Sequence, residues 1–411
     1  MNLRWLEPAW AGVIGIGMKY LTLLCLLAMS LPAVTSADEA TLITAGKIYT
    51  MNGKTLSPGQ ILIVDGKIKA VGKSVSVAGL SPTKMELGKD AVIMPGLVDP
   101  YSQSALPSSG VNEASNEVTP DFKTSLAVDW DSSDLHRQNQ LGTTTMCVCP
   151  GTQNVFSGIA AIIKTSDELA IMINDDGPLL ASLCSDPARG NRARSRPDSV
   201  FVRQPTNRMG VVWILRSTFD KAMRGVGGAD KANAMKVVKQ SVKGKRPMMF
   251  VSRMSYDLTS VASLADEFGF NPILVGGQEA YKVKEMIAER KYSVILQRLR
   301  LDTTRGAEGA ELIWNQPGVL AEAGITFALS GDDLLEQARF AHRNGLDHDM
   351  ALAAITTTPA SILGLEKQVG AIKVGFDADL VVLDGEPLEL TTSIRQVIIN
   401  GETSNHDKET K

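Results

Sequence analysis

The sequence predicts an α/β protein: a (β/α)8 barrel of the TIM type, joined to a small discontinuous β-sandwich that both ends of the chain build together. Three observations predict it. Strand-and-turn segments fill residues 38–94 and return at 366–403. Between them lie roughly 270 residues, close to the ~250 that such a barrel takes. In that middle region, 95–365, short apolar runs alternate with amphipathic stretches, as parallel strands buried on both faces alternate with helices.

The elements follow in order. Met18-Lys19 precedes an apolar run, Tyr20 to Met29, and a small-residue exit ending at Ala37. This is the make-up of a secretory signal peptide over residues 1–37, with Met18 as an alternative start. The run is about ten residues long, against the roughly 20 that a bilayer span takes. The mature chain is therefore expected to have no stable membrane span and to be exported, to a periplasm or the extracellular space. Thr41 to Thr50 alternates in part, Asn52-Gly53 marks a turn, and Ile61 to Val64 runs into an Asp65-Gly66 hairpin signal. The matching piece at the other end has strands at Leu380 to Leu383 and Ile394 to Ile399, bounded by Asp-Gly and Asn-Gly turns. Neither piece alone has enough chain to bury a core; shared between them, one apolar interior suffices. A polar tail, 404–411, ends the chain.

Barrel strands are expected at 91–98, 143–148, 159–164, 248–252, 271–275, 292–297 and 325–329, with one more somewhere between Leu169 and Leu215. Helices are expected at 220–243, 257–268, 279–290, 334–344 and 349–363. The stretch from Pro178 to Arg208, rich in Arg, Pro, Ser and Asp, reads as an excursion over the barrel mouth.

Charge and cysteine content narrow the function. With 42 basic and 45 acidic residues interspersed, the chain has no basic footprint for nucleic acid or for an anionic membrane. Past the signal, Cys147, Cys149 and Cys184 make an odd count, which does not suggest a disulfide framework and suits small buried hydrophobes; a thiolate metal site is the alternative. There is no phosphate-cradling glycine loop after a strand, no Gly-x-Ser-x-Gly elbow and no zinc-protease helix.

Two segments carry a family resemblance. Val92-Ile-Met-Pro-Gly-Leu-Val-Asp99 resembles the first barrel strand of the metal-dependent amidohydrolase superfamily. Thr356-Thr-Thr-Pro-Ala-Ser-Ile-Leu-Gly-Leu365, followed by Gly370 to Asp384, is similar to that family's last helix and its return into the sandwich. Gly142-Thr-Thr-Thr, Asn154-Val-Phe-Ser-Gly158 and Pro205-Thr-Asn-Arg-Met-Gly210 look most like the imidazolonepropionase-like branch. The resemblance implies hydrolysis of a carbon–nitrogen bond, such as a cyclic amide, by water activated on zinc or another divalent metal. It also implies ligands at strand ends: a His-x-His after the first strand, histidines after the fifth and sixth, an aspartate after the eighth, and in some members a carboxylated lysine.

This chain departs from that pattern. Tyr101 and Gln103 stand where the His-x-His would fall, Arg253 follows the fifth strand, and Gly276 ends the sixth. Only Asp332 matches a family ligand, and it is the one catalytic candidate. Asp99 matches the family's strand-end aspartate. Lys164 is either the remnant of a carboxylated lysine or a cation at the barrel floor. The four histidines, His136, His342, His348 and His406, are all away from strand ends. No metal is expected; a Lys164 or Arg253 cation near Asp332 would stand in its former place. Asp333 and Glu336 read as a capping box.

The leading expectation is a degenerate, non-catalytic member that binds a small molecule or a partner at the mouth through Asp99, Tyr101, Gln103, Lys164, Arg253 and Gly276. An active hydrolase using Asp99, Gln103, Lys164 and Asp332, or the cysteines, as substitute ligands is the second. A subunit that stabilises a related amidohydrolase is the third.

Overall fold

The computed structural model describes residues 40–404 apart from 108–111, 114, 167–168, 190–203, 227, 229–230 and 300–306. The signal peptide expected over 1–37, the tail beyond 404 and the middle of the stretch expected over the mouth lie outside the described residues.

Residues 40–95 form seven strands: β1 (Ala40–Ala45), β2 (Lys47–Tyr49), β3 (Thr55–Leu56), β4 (Gly59–Val64), β5 (Lys67–Gly72), β6 (Thr83–Glu86) and β7 (Val92–Pro95). The middle of the chain gives β8 (Leu97–Ser102), β9 (Thr143–Val148), β10 (Phe156–Ile159), β11 (Ala161–Lys164), β12 (Ile171–Asn174), β13 (Leu179–Ser182), β14 (Met248–Ser252), β15 (Pro272–Gly276), β16 (Ser293–Gln297) and β17 (Phe327–Ser330). The C-terminal part adds β18 (Leu380–Leu383), β19 (Ile394–Ile399) and β20 (Glu402–Thr403).

The two chain ends do meet. One sheet has the order β5-β4-β1-β6; a second, β20-β19-β18-β7-β2-β3, interleaves C-terminal with N-terminal strands. Val381 pairs with Met94 and Ile48 with Ile93. Ile43, Ile61 and Ile63 from the first sheet share one apolar cluster with Ile48, Ile93, Leu380, Val382 and Ile398 from the second. The Asp65-Gly66 and Asn400-Gly401 turns both take positive φ at their two central residues (50° and 72°, 51° and 82°). That is the twist-compatible turn for a two-residue hairpin, and it explains why these dipeptides mark the strand ends.

The middle strands lie in two sheets, β12-β11-β9-β8 and β10-β13-β14-β15-β16-β17. From β13 to β17 every pairing is parallel, as is β8 with β9. β10 and β11 are one run of chain broken only at Ala160. β10 pairs antiparallel with β13 and β11 antiparallel with β9, so this run joins the two sheets. At their far edges the sheets are tied by the Ser330 hydroxyl, which donates to the Tyr101 carbonyl at 2.6 Å. The expected strand at 159–164 is thus present but reversed in direction. The reason is the connection: residues 149–160 separate β11 from β9, the bare minimum of about a dozen that a parallel crossover takes, and β10 already uses four of them. The strand that sequence reading could not locate is β13, and the expected run at 91–98 divides at Gly96 between two sheets.

Helices follow these strands: α1 (Ser133–Gln140), α2 (Arg208–Arg224), α3 (Ala232–Val242), α4 (Ser255–Phe268), α5 (Lys284–Arg290), α6 (Gln316–Glu322), α7 (Leu334–Arg343), α8 (His348–Ala353) and α9 (Thr357–Ile362). The single helix expected at 220–243 is two, because α2 ends on Gly225 in the left-handed conformation (φ 71°). The one expected at 349–363 is also two. Pro359 has no N–H to continue a helix back toward Ile355, so α9 begins afresh. Half of the expected capping box is present: the Asp333 carboxylate caps α7 by accepting from Glu336 N at 3.0 Å.

Burial on both faces accounts for the unbroken apolar runs. On β14, Met248 and Phe250 pack with the helix residues Phe219, Leu258 and Val261. Met249 and Val251, pointing the other way, join Val98, Cys147, Ile162, Leu180, Val275 and Ile295, which come from successive strands. Parallel strands covered on both sides have no polar face to reveal a period of two. Their C-terminal ends all lie on one side, and the polar groups gather there.

Candidate functional site at the strand ends

β8 delivers the first group. Asp99 and Tyr101 lie two apart in β8 and are buried, while Gln103 stands just beyond the strand and is exposed. Asp99 is 1% exposed and its carboxylate accepts from Tyr101 N at 3.1 Å. Burial pushes its pKa up to about 7, and the neighbouring Asp332 charge adds to the rise. The Tyr101 and Gly331 amides and the Ser330 hydroxyl act in the opposite direction. Gln103 Nε2 donates to the Pro150 carbonyl at 3.0 Å, which fastens the chain after β8 to the chain after β9. Asp332, half-exposed beyond β17, faces Arg298 Nη1 at 3.6 Å. Asp99, Tyr101, Gln103, Arg298, Ser330 and Asp332 line a cleft of about 340 Å³.

The second group is centred on Arg253, directly after β14. Its Nη1 donates to Glu308 Oε1 at 2.9 Å and its Nη2 to Asp186 Oδ2 at 2.7 Å. All three side chains are largely buried. Thr152 Oγ1 donates to the same Asp186 oxygen at 2.7 Å, and Ser185 N to Glu308 Oε1 at 3.1 Å. Arg208, at the start of α2, reaches Glu308 from the other side. Burial by itself would raise both carboxyls. The Arg253 hydrogen bond and charge, with Thr152 for Asp186 and the Ser185 amide and Arg208 for Glu308, outweigh it and hold both below the usual carboxylate range. The guanidinium stays charged: burial opposes the charge, but the bonds to Asp186 and Glu308 more than offset it. Gly276 makes this placement possible, because a Cβ there would lie 3.3 Å from Arg253 Cγ and 3.2 Å from the Ser252 carbonyl.

The structure therefore brings together most of the expected residues, in two subsites rather than one. Arg253 sits at the strand ends as expected, yet its partners are Asp186 and Glu308, not Asp332, whose cation is Arg298. Lys164 is elsewhere. β11 runs opposite to β9, so Lys164, paired with Thr145, lies at the other end of the sheet from the Val148–Ala161 pair. Its ammonium faces Asp377 Oδ2 at 2.6 Å and Asp379 Oδ2 at 2.9 Å, just ahead of β18. A carboxylated lysine would set a third negative group against these two; the geometry fits a free ammonium at the floor. The substitute set Asp99, Gln103, Lys164 and Asp332 is accordingly not assembled.

Two residues of the Arg253 group escaped the sequence reading, Asp186 and Glu308; Cys184 beside them had been weighed only together with Cys147 and Cys149. Asp186 follows β13, the strand that had not been placed, and a located β13 would have flagged it. Glu308 left no signal, since it stands in a loop at φ 63°.

The ligand-bearing atoms of Cys184, Asp186 and Glu308 lie within 4.8 Å of one another, a spacing a metal ion could use. The donors do not suit one. Burial pushes the Cys184 thiol far up, and the adjacent Asp186 charge adds to this, so the thiolate that a metal binds is disfavoured. Both carboxylates already accept from a guanidinium, whose charge would repel a second cation at the same place. Among the described residues no imidazole joins either subsite. His136 lies by Asp131, His342 bonds the Leu346 carbonyl and His348 faces Asp349; His406 is outside the described residues.

Parallel strands with helices between them and polar groups at the strands' C-terminal ends define the class: a mixed α/β protein. Comparison with known proteins gives the family. The model of the amidohydrolase family matches residues 324–404. "Amidohydrolase tasK" from Hapsidospora irregularis is 27% identical over 428 residues, covering 90% of this chain. The chain spans only 41% of that protein's length. Among solved structures, an amidohydrolase from Thermotoga maritima is similar at a TM-score of 0.78 and 25% identity, over 88% of this chain and 99% of that one. A zinc-bound adenosine deaminase from Xanthomonas campestris matches at a TM-score of 0.52 and 16% identity, over 88% and 92% of the two chains. That more distant likeness bears on the fold alone. The three findings together support the amidohydrolase superfamily.

Proposed function

We propose that this chain is an exported, non-hydrolytic member of the superfamily that binds a small polar molecule in the cleft at its strand ends. In this reading β8, β9, the reversed run β10–β11, and β13 to β17 close into an eight-stranded barrel, with Ser330 and Tyr101 at the seam. The two sheets made from the chain ends form the β-sandwich. Export rests on the charged start, apolar run and small-residue exit of residues 18–37. Among the described residues no helix is long and apolar enough to cross a membrane.

The observation that carries the reading is the guanidinium of Arg253 between Asp186 and Glu308. The two carboxylates need a positive partner in a setting with little water, and the chain supplies its own. The cleft alongside, at about 340 Å³, falls in the range of small-molecule sites and offers carboxyl, amide, hydroxyl and guanidinium groups.

A second reading has an observation of its own: the spacing of Cys184, Asp186 and Glu308 is one a substitute metal site would use, if the Arg253 guanidinium were to move aside. The relatives named as amidohydrolases favour it. Under either reading, association with a related amidohydrolase subunit is a further proposal, tested by co-purification.

Elemental analysis after dialysis against zinc, paired with an ammonia-release assay on a panel of amides, separates the two. The expected result is sub-stoichiometric zinc and no ammonia above the protein-free control. Near-stoichiometric zinc together with turnover would overturn the binding-protein reading.

A further inference from the structure

A narrower recess opens beside the mouth cleft and shares Gln297 and Arg298 with it. Its free volume is about 30 Å³, close to what one water molecule occupies in the liquid. It admits one terminal group of a ligand, not a ring. Leu299, Trp314 and Phe340 supply its apolar wall, and the Trp314 indole is 47% exposed.

Two acceptors in this wall find no hydrogen-bond partner among the described residues: Gln316 Oε1 and Gln278 Oε1. Gln316 is 4% exposed. Its amide orientation is fixed, because Nε2 donates to the Gly277 carbonyl at 2.9 Å, which leaves the oxygen as the free end. A buried carbonyl oxygen without a donor is costly, so the recess favours a guest that brings N–H groups. An ammonium would bring them too, but Arg298 lines the same recess and its positive charge disfavours a cation there. Arg298 instead offers donors to a carbonyl. A group that presents a carbonyl and an NH2 side by side satisfies both demands. That group is the primary carboxamide.

We propose that the recess is a carboxamide-anchoring subsite. The guest's NH2 donates to Gln316 and Gln278, its carbonyl accepts from Arg298, and the flat body bearing the amide lies along Trp314 and into the mouth cleft. This rests on the reading of the mouth as a ligand-binding cleft and names the ligand's chemical class.

The test is calorimetric titration of the full chain with benzamide, N,N-dimethylbenzamide, benzoate and benzylamine, with ammonia measured in the same samples. Benzamide should bind at least about tenfold more tightly than the other three, the discrimination expected when one set of buried polar groups is left unpaired. Gln278→Leu and Gln316→Leu should each remove that preference, and Trp314→Ala should weaken all four aromatic probes alike. Because Gln316 also holds the Gly277 carbonyl, Gln278→Leu decides the matter if Gln316→Leu does not fold. Equal binding of benzamide and its dimethyl derivative, no binding of benzamide, or wild-type preference in Gln278→Leu would each overturn the subsite. Ammonia released from bound benzamide would overturn the non-hydrolytic reading and leave carboxamide recognition standing.

Discussion

Replacing Asp99 with asparagine should flatten the pH dependence of stability. Asp99 is fully enclosed, and burial raises its carboxyl from 3.8 to about 7. The folded protein thus holds a proton on Asp99 at pH values where the unfolded chain has lost it. Its contribution is complete below about pH 4 and is lost as pH rises through 7. The gap is about 3 pH units at ~1.36 kcal/mol each, so the swing is about 4 kcal/mol, an upper bound because a buried site relaxes. That is a large part of the 5–15 kcal/mol that holds a typical domain together. The substituted amide keeps an acceptor for the Tyr101 N–H and carries no charge at any pH. Its NH2 meets the Gly331 amide, a mismatch of about 1–3 kcal/mol that does not vary with pH. The assay is urea unfolding followed by tryptophan fluorescence from pH 4.5 to 8.5. Wild type should lose several kcal/mol more than Asp99→Asn across that range, whichever is the more stable at the start. Parallel curves for the two proteins would refute the argument.

Two further substitutions probe the buried charges. Arg253→Met leaves Asp186 and Glu308 without their shared cation and should cost about 3–5 kcal/mol at pH 7. Both carboxyls are held below their ordinary range, so their contribution is present at neutral pH and lost in acid. The difference between wild type and variant should therefore shrink as pH falls below about 4. A difference that persists unchanged at pH 3 in urea titrations would contradict the pairing. Lys164→Met strands Asp377 and Asp379 at the opposite end and should also cost about 3–5 kcal/mol. The neighbouring Lys67, more than half exposed, should cost under about 1 kcal/mol when changed to Met, and equal losses from both would argue against a buried floor cation.

What the sequence determined by itself was the set of elements and much of the strand-end chemistry. Apolar runs of four to six residues between helical stretches specify strands buried on both faces, and the Asp65-Gly66 and Asn400-Gly401 turns specify the hairpins. Asp99, Tyr101 and Gln103 were legible together through the resemblance of residues 92–99 to a first barrel strand. Tertiary structure decided direction and partnership. β11 is reversed because β10 takes up part of its twelve-residue link to β9 and leaves too little chain to cross over, and that reversal carries Lys164 to the opposite end of the strands. No local pattern encodes it, since a fully buried strand reads the same in either direction. Arg253 was visible as a cation at a strand end, but its anions come from residues 67 positions upstream and 55 downstream. Charges so far apart in the chain find each other only when folding excludes the water that would otherwise solvate them, so the choice of Asp186 and Glu308 over Asp332 belongs to packing, not to sequence.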